Sequence, residues 1–330
     1  MVGHHGAIPW ISGRRLRRLV PMPAAIQAVR EAFVAASAGE IEQPTRLALG
    51  GGSALAMLAA DRAGGGTVLK AVTVRPENAG GPYPVVQAVV LWFDGPTGAP
   101  VAAIDGTVLT ALRTGAASGV ATDLLAPRDA RVLAVIGAGG QAADQVRAVC
   151  AVRPIAEVRV ASRDVAHAAA LATRLRGELA AVRVIATGVR EAVAGADVVC
   201  TATTALAPVF ATGDLAPQVH VNAVGAYTPA MCELPPELLA GAAVIAVDRL
   251  EAAMAEAGDL LRAIDAGVLK PERLVELGTL LATGADRPAG QSVFKSVGIA
   301  AQDWALARLA VERARAETPR DDAAGGRASG

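Results

Sequence analysis

Apolar residues recur at helical spacing over residues 22–38 (MPAAIQAVREAFVAASA), and Gly39 stands where a C-terminal cap belongs. The first element this predicts is an amphipathic helix. At Thr45 the pattern changes. Short stretches rich in valine and leucine follow, TRLALG, SALAML, TVLKAVTV and VVQAVVLWFD, separated by two glycine triplets and the loop RPENAGGPYP; they predict antiparallel strands joined by hairpins. DGPTGAP turns the chain into VAAIDG, after which TVLTALRTGAASGVATDLLA predicts a helix whose small residues let it pack close to its neighbours. A mixed α+β unit thus ends near residue 125.

From Arg131 onward strands and helices alternate. RVLAVIG predicts a strand of seven residues, GQAADQVRAVCAV a helix, EVRVAS a strand, DVAHAAALATRLRGEL a helix, AVRVIAT a strand, REAVAGA a short helix and DVVCTAT a strand, with VHVNAVG and AAVIAVD as two further strands. These strands are apolar throughout, the pattern of a parallel sheet covered on both faces, so the fold class is α/β with a doubly wound sheet. LEAAMAEAGDLLRAIDAG and PERLVELGTLLATG predict two more helical stretches, and SVFKSVGIAAQDWALARLAVERARA a last helix able to return to the first unit. ETPRDDAAGGRASG has no periodicity and reads as a disordered tail.

Composition narrows the class. The 330 residues amount to roughly two domains, and 53% apolar against 19% charged letters exclude disorder over most of the length. Thirty-one basic residues balance 31 acidic ones, which leaves no electrostatic footprint for nucleic acid. No apolar run reaches the ~18 residues of a membrane span, and MVGHHGAIPWISGRR lacks the apolar core of a signal peptide, so a soluble cytoplasmic protein without a membrane partner is expected. Cys150, Cys200 and Cys232 lie in apolar contexts without CxxC spacing, and His4, His5, His167 and His220 are scattered; buried thiols are expected and a metal site is not. Among the basic residues only Lys70, Lys270 and Lys295 are lysine. Where arginine is the default cation, a lysine hints that the ammonium itself matters.

One motif carries a cofactor. Gly137-Ala138-Gly139-Gly140-Gln141-Ala142 follows a predicted strand and opens a predicted helix, the setting that the Gly-x-Gly-x-x-Ala dinucleotide fingerprint requires. Gly137 permits the tight turn, Gly139 admits a pyrophosphate to the backbone, and the unpaired amides of Gly140 and Gln141 face its charge. An NAD-specific site would place Asp or Glu at the end of the second strand, where this chain reads Ser162-Arg163. A serine hydroxyl and an arginine fork suit a 2′-phosphate, which points to NADPH ahead of NADH; Asp164 reads as the start of the next helix.

Four separated motifs then occur in a fixed order: a lysine within the strand VLKAVTV, the turn and strand FDGPTGAPVAAIDG, LTALRTGAAS ahead of the fingerprint, and VFKSVGIAAQD near the C-terminus. Together they resemble the ornithine cyclodeaminase and mu-crystallin family over about residues 40–310. The resemblance implies a Rossmann NAD(P)-binding domain at 125–296, an α+β substrate-binding and dimerisation domain from 1–124 and 297–318, a tail at 319–330 outside both, and a homodimer built by the strands of the α+β domain. It further implies a nicotinamide cofactor acting on small α-amino or α-imino acids. The family's substrate-binding positions match Arg46 in QPTR, Lys70 in VLKAV and Arg113 in LRTGAAS. Arginine forks and a lysine point charge suit a compact carboxylate. Thr114 and the segment Thr201-Ala202-Thr203 match phosphate or ribose contacts, Val224, Gly225 and Ala226 the cofactor-side turn, and Ser296 and Val297 the nicotinamide side, while Lys295 reads as a local structural residue, with a charge contact to the cofactor as the alternative.

The departure from the family pattern is Tyr227. Cyclodeaminases carry an aspartate there that works on the substrate's amino groups, whereas this chain reads Gly225-Ala226-Tyr227-Thr228-Pro229, with Met231 and Glu233 downstream. A phenol with an ordinary pKa near ~10 neither binds an amine as a carboxylate does nor takes its proton readily. The pattern is more similar to the bacterial reductases of cyclic ketimines. The resemblance therefore implies NADPH-dependent reduction of 1-pyrroline-2-carboxylate to L-proline, or of 1-piperideine-2-carboxylate to L-pipecolate, with Arg46, Lys70, Arg113 and Tyr227 at the substrate. Two alternatives stay open: an ornithine cyclodeaminase or related amino-acid dehydrogenase, and a mu-crystallin-like protein that binds a nucleotide and small ligands.

Overall fold

Alternating burial along the strands of the first unit gives a sheet with one covered face. The structure is a computed structural model that describes residues 7–317 apart from Ala79 and Ala285. The tail expected at 319–330, with residues 1–6 and 318 of the expected α+β domain, lies outside the described residues. In chain order come β1 (Trp10–Ile11), α1 (Gly13–Leu19), α2 (Met22–Ser37), β2 (Ile41–Glu42), β3 (Leu47–Leu49), β4 (Ala54–Asp61), β5 (Thr67–Val74), β6 (Val86–Phe93), β7 (Pro100–Asp105) and α3 (Gly106–Leu125). They form a sheet ordered β1-β7-β6-β5-β4-β2, with β3 also on β4; the ladders are antiparallel except β1 on β7. One face of the central strands carries Met57, Val68, Lys70, Val90 and Trp92 and is buried. The opposite face pairs Leu58 with Leu69 and Ala71 with Val89, and leaves Leu58, Val89 and the nearby Leu47 and Leu49 exposed.

The second unit contains β8 (Val132–Ile136), α4 (Ala142–Val152), β9 (Glu157–Ala161), α5 (Val165–Glu178), β10 (Arg183–Ala186), α6 (Val189–Val193), β11 (Val198–Thr201), β12 (His220–Ala223), α7 (Pro236–Gly241), β13 (Val244–Val247), α8 (Leu250–Glu256), α9 (Gly258–Asp265), β14 (Leu274–Glu276), α10 (Leu277–Thr283) and β15 (Ser292–Lys295). Its sheet is parallel throughout, ordered β10-β9-β8-β11-β12-β15-β13-β14. Strand order reverses between β8 and β11, the place where such sheets open a ligand crevice. β11, β12 and β15 are buried along their whole length, as the unbroken apolar runs require. This is the doubly wound α/β fold that the sequence implies.

Finally α11 (Ala300–Glu317) leaves the second unit and packs on α2, α3 and the first sheet. Trp304 lies against Trp92, with ring centroids 6.0 Å apart, and its indole donates to the Gly66 carbonyl at 3.0 Å. The small residues of α3 serve close packing: a Cβ on Gly115 would stand 2.5 Å from the Asp144 carbonyl oxygen. Asp144 also receives both arms of Arg17 at 2.8 Å, which ties α1 to the start of α4. No single helix among the described residues is long and apolar enough to cross a membrane.

Several local expectations need correction. The segment beginning SVFK is not one helix; β15 inserts between β12 and β13, and only after Gly298, at φ +85°, does α11 begin. Valine and phenylalanine at the strand centre outweigh the helical periodicity that follows. PERLVELGTLLATG divides into a short turn, the missed strand β14 and α10. LEAAMAEAGDLLRAIDAG breaks at Ala257 because Gly258 backs directly onto the carbonyls of Thr228, Pro229 and Met231. The strand in RVLAVIG has five residues, and β1 with α1 was not anticipated.

Candidate active site

The nucleotide side is built at the sheet's reversal. Gly137 ends β8 at φ +108°, and a Cβ there would lie 2.5 Å from the Ala202 carbonyl oxygen, so this turn accepts only glycine. Gly139 and Gly140 face open space at the start of α4, for which Gln141 is the residue before the first turn. The Gly137 amide donates to the Ala161 carbonyl at 2.8 Å, which sets half-buried Ser162 and exposed Arg163 beside the glycine turn. Arg163 makes no ion pair among the described residues, and Asp164 caps α5 by accepting from Ala166 and His167. Two buried polar atoms at this edge, Gln141 Oε1 and Thr201 Oγ1, have no hydrogen-bond partner among the described residues. Open glycine amides, a helix start and orphaned polar atoms fit a dinucleotide. Thr114, by contrast, spends its hydroxyl proton on the Thr110 carbonyl at 2.7 Å, and can only accept from a ligand.

Next to that edge a buried charge cluster pins a turn. Glu233 accepts the Thr203 amide and hydroxyl at 2.7 and 2.8 Å on one oxygen, and the Gly225 and Ala226 amides at 2.8 and 3.0 Å on the other. Asp259 accepts the amides of Glu233 and Leu234, and Lys295 pairs with Asp259 at 2.8 Å while donating to the Ala226 carbonyl at 2.6 Å. All three charged side chains are buried. Burial pushes the Glu233 carboxyl up; burial also pushes Asp259 up, but Lys295 and the two amides hold it below the usual range. Thr203 and the Val224–Ala226 turn are thereby fixed in place. Ser296 is tied too: Asp248 receives its hydroxyl at 2.8 Å with the amides of Val297 and Gly298.

The residues expected at the substrate draw on three elements. Lys70 on β5 faces inward between its ladder partners Met57 and Val90, and its Nζ lies 2.7 Å from Asp303 Oδ2 on α11. Arg113 on α3 places Nε 3.4 Å from Asp303 Oδ1 and donates from Nη1 to Gln302 at 2.7 Å. Its guanidinium lies over Gly298, where a Cβ would come within 2.5 Å of Nη1. Two cations thus face one carboxylate directly in a dry site, with the buried Asp248 as a second anion within electrostatic reach of Arg113. The ammonium and the guanidinium fork suit a small anionic group. Burial pushes the Lys70 ammonium down to about 8; Asp303 opposes that fall, and Arg113 and Arg46 add to it.

Arg46 does not join Lys70 and Arg113 directly. From the loop before β3 it crosses to the second unit, pairing with Glu256 at 2.8 Å and donating to the carbonyls of Val297 at 3.0 Å and Tyr227 at 2.8 Å. The half-buried Tyr227 ring lies near this guanidinium, 5.7 Å from centroid to Cζ, and burial pushes the phenol up. Arg46, Met57, Glu256 and Gly298 line one small cavity. Among the described residues no cluster of three or more His, Cys, Asp or Glu side chains could hold a metal ion. Asp303, Gln302, Glu256 and Asp248 were missed by sequence reasoning. Asp303 stood within VFKSVGIAAQD, where a carboxylate among apolar residues was the available signal.

The family model described as ornithine cyclodeaminase/mu-crystallin matches residues 14–318. The chain belongs to this family. A relative from Bacillus cereus, Delta(1)-pyrroline-2-carboxylate reductase, is 39% identical over 250 residues, which cover 74% of this chain and 77% of that protein. Among solved structures, the Thermococcus litoralis Delta(1)-pyrroline-2-carboxylate reductase in complex with NADH and L-proline superposes with a TM-score of 0.89 at 33% identity, covering 93% of this chain and 98% of that one. An archaeal alanine dehydrogenase dimer with bound NAD superposes at 0.85 and 30% identity, over 93% and 96%. Like these family members, the chain carries a site suited to a nicotinamide cofactor.

Proposed function

We propose that the protein is a cytoplasmic reductase of a cyclic α-imino acid, converting 1-pyrroline-2-carboxylate to L-proline, with 1-piperideine-2-carboxylate to L-pipecolate as the neighbouring ring size, and preferring NADPH to NADH. The observation that carries this reading is the buried cluster of Lys70, Arg113 and Asp303, two cations bridged by one carboxylate beside apolar Met57 and Val90. It suits a single carboxylate on a small apolar ring. Two carboxylates line the cavity, Glu256, engaged by Arg46, and Glu251, which accepts the Thr45 hydroxyl. No second amine is catered for at Tyr227, which distinguishes this site from a cyclodeaminase.

The nicotinamide supplies a hydride to the C=N carbon when bound. Gly137, Gly139, Gly140, Gln141, Thr203, Val224, Gly225, Ala226 and Ser296 shape its site, and Ser162 with Arg163, which makes no ion pair among the described residues, favours a 2′-phosphate. Lys70 and Arg113 hold the carboxylate, Lys70 also offers a proton to the imine nitrogen, and Arg46 with Tyr227 closes the cavity between the units. The chain acts as a homodimer joined through the exposed leucine and valine face of the first sheet; the dimeric alanine dehydrogenase supports this. The first sheet with α11 serves as the substrate-binding and dimerisation part. All three cysteines are free thiols, which suits a reducing compartment.

The test is turnover. The protein is expected to oxidise NADPH with 1-pyrroline-2-carboxylate and to release no ammonia from L-ornithine with NAD(P)+. Ammonia release at a rate comparable to imine reduction overturns the assignment.

A further inference from the structure

We propose that Asp303 is a positioning residue of the reduction: by bridging Lys70 and Arg113 it keeps Lys70 in the ammonium form that protonates the imine nitrogen. The proton step rests on the reductase reading above; the bridge itself does not. Asp303 is fully enclosed on the first turn of α11, and its two oxygens are divided, one to the ammonium on β5 and one to the guanidinium on α3. A negative charge is favourable at a helix start. Gln43 accepts the Ala301 amide at 2.9 Å and Gln302 Oε1 accepts from Arg113 Nη1 at 2.7 Å, so the turn that carries the carboxylate is held from both sides.

The charged groups facing Lys70 are Asp303 from α11, Arg113 from α3 and Arg46 from the loop before β3; its ladder partners Met57 and Val90 are apolar. Asp303 is thus the one anion opposing burial and two cations. With it, Lys70 loses its proton near pH 8. Without it the same desolvation and repulsion act unopposed, and an amine that is neutral at pH 7 has no proton to give. In the step itself an N–H bond forms at the imine nitrogen as an N–H bond of Lys70 breaks, and the ring carbon takes the hydride of the reduced nicotinamide. Lys70, left neutral, recovers its proton from water. No other oxidant or reductant enters.

The chain contains three lysines, so labelling with [ε-13C]lysine gives three side-chain signals, and Lys70→Arg identifies one of them by deletion. In the unmodified protein the Lys70 signal is expected to titrate near pH 8. Asp303→Asn should move it down by roughly 1–3 pH units, the effect of an opposite charge at this range. Arg113→Met should move it up, which keeps the proposal open to refutation if the asparagine variant does not fold. An unchanged Lys70 titration in either folded variant overturns the bridge. For the proton step, the basic limb of kcat/KM for imine reduction should shift with the NMR signal in Asp303→Asn; a limb that stays put while the signal moves overturns the donor role. A protein that reduces no cyclic imine refutes the reductase reading, while the NMR titration still decides whether Asp303 governs Lys70.

Discussion

Replacing Lys295 by methionine keeps most of the side-chain volume and removes the cation from a buried cluster. Asp259 and Glu233 then lie together in the interior without their counter-charge, and the Ala226 carbonyl loses its donor. Breaking a buried pair by removing one partner costs about 3–5 kcal/mol. The sign of the pH dependence follows from the carboxylates. Burial pushes Asp259 up and Lys295 and its amides bring it below the usual range, so in the natural protein this group adds stability above about pH 4 that is lost as the pH falls through its lowered value. In the variant burial acts without Lys295, the folded form takes up a proton more readily than the unfolded chain, and the deficit shrinks from pH 7 to pH 5. Urea unfolding at the two values reads this directly. Adding Asp259→Asn should recover most of the loss, because the uncompensated charge is gone. NADPH affinity, followed by its fluorescence, should fall with Lys295→Met if Ala226 and its turn form the cofactor side as proposed. Equal urea midpoints for the variant and the natural protein at pH 7 would refute the reasoning.

Gly298→Ala places a methyl 2.5 Å from Arg113 Nη1 at φ +85°, so the KM for the imine should rise at least tenfold with little change in that for NADPH; equal changes in both would refute the assignment of Arg113. Burial lowers His220 from 6.5 to about 4, so its contribution is present above pH 6.5 and lost between 6.5 and 4 as the unfolded chain binds the proton first. Relative to His220→Gln, the natural protein should lose about 3 kcal/mol over that window in urea unfolding. Arg163→Ala should narrow the NADPH preference in kcat/KM by roughly ten- to a hundredfold, and equal use of both cofactors by the natural protein would refute the 2′-phosphate argument.

The sequence showed most clearly those features that the backbone alone enforces. Gly137 was recognisable because a turn at positive φ, pressed against a neighbouring carbonyl, leaves no room for a side chain. The strand TVLKAVTV was equally clear, since eight residues of alternating burial leave few other conformations. Short elements were not. The strands β14 and β15 have three and four residues, and local propensity says little at that length when the deciding factor is a slot in a sheet formed by distant segments. The same holds for partners. Lys70 drew notice as a cation among apolar residues, but its counter-ion Asp303 lies more than two hundred positions away, and nothing in the spacing joins them. Arg46 read as a ligand for a carboxylate, whereas its nearest acceptors are Glu256 and two main-chain carbonyls of the other unit.

The scarcity of lysine, combined with its burial, has a practical consequence for chemical modification. Lys70 and Lys295 are enclosed at 1% and 0% exposure, whereas Lys270 stands in the open ahead of β14. An acylating reagent attacks only an accessible, neutral amine. Native protein treated with a succinimidyl ester should therefore take up label at Lys270 and at any accessible chain-terminal amine, while the interior lysines react only as the fold opens. A single exposed lysine gives a defined side-chain point for attaching a fluorophore or a solid support, and the slow appearance of further lysine adducts by mass spectrometry becomes a clock for the opening of the two buried clusters.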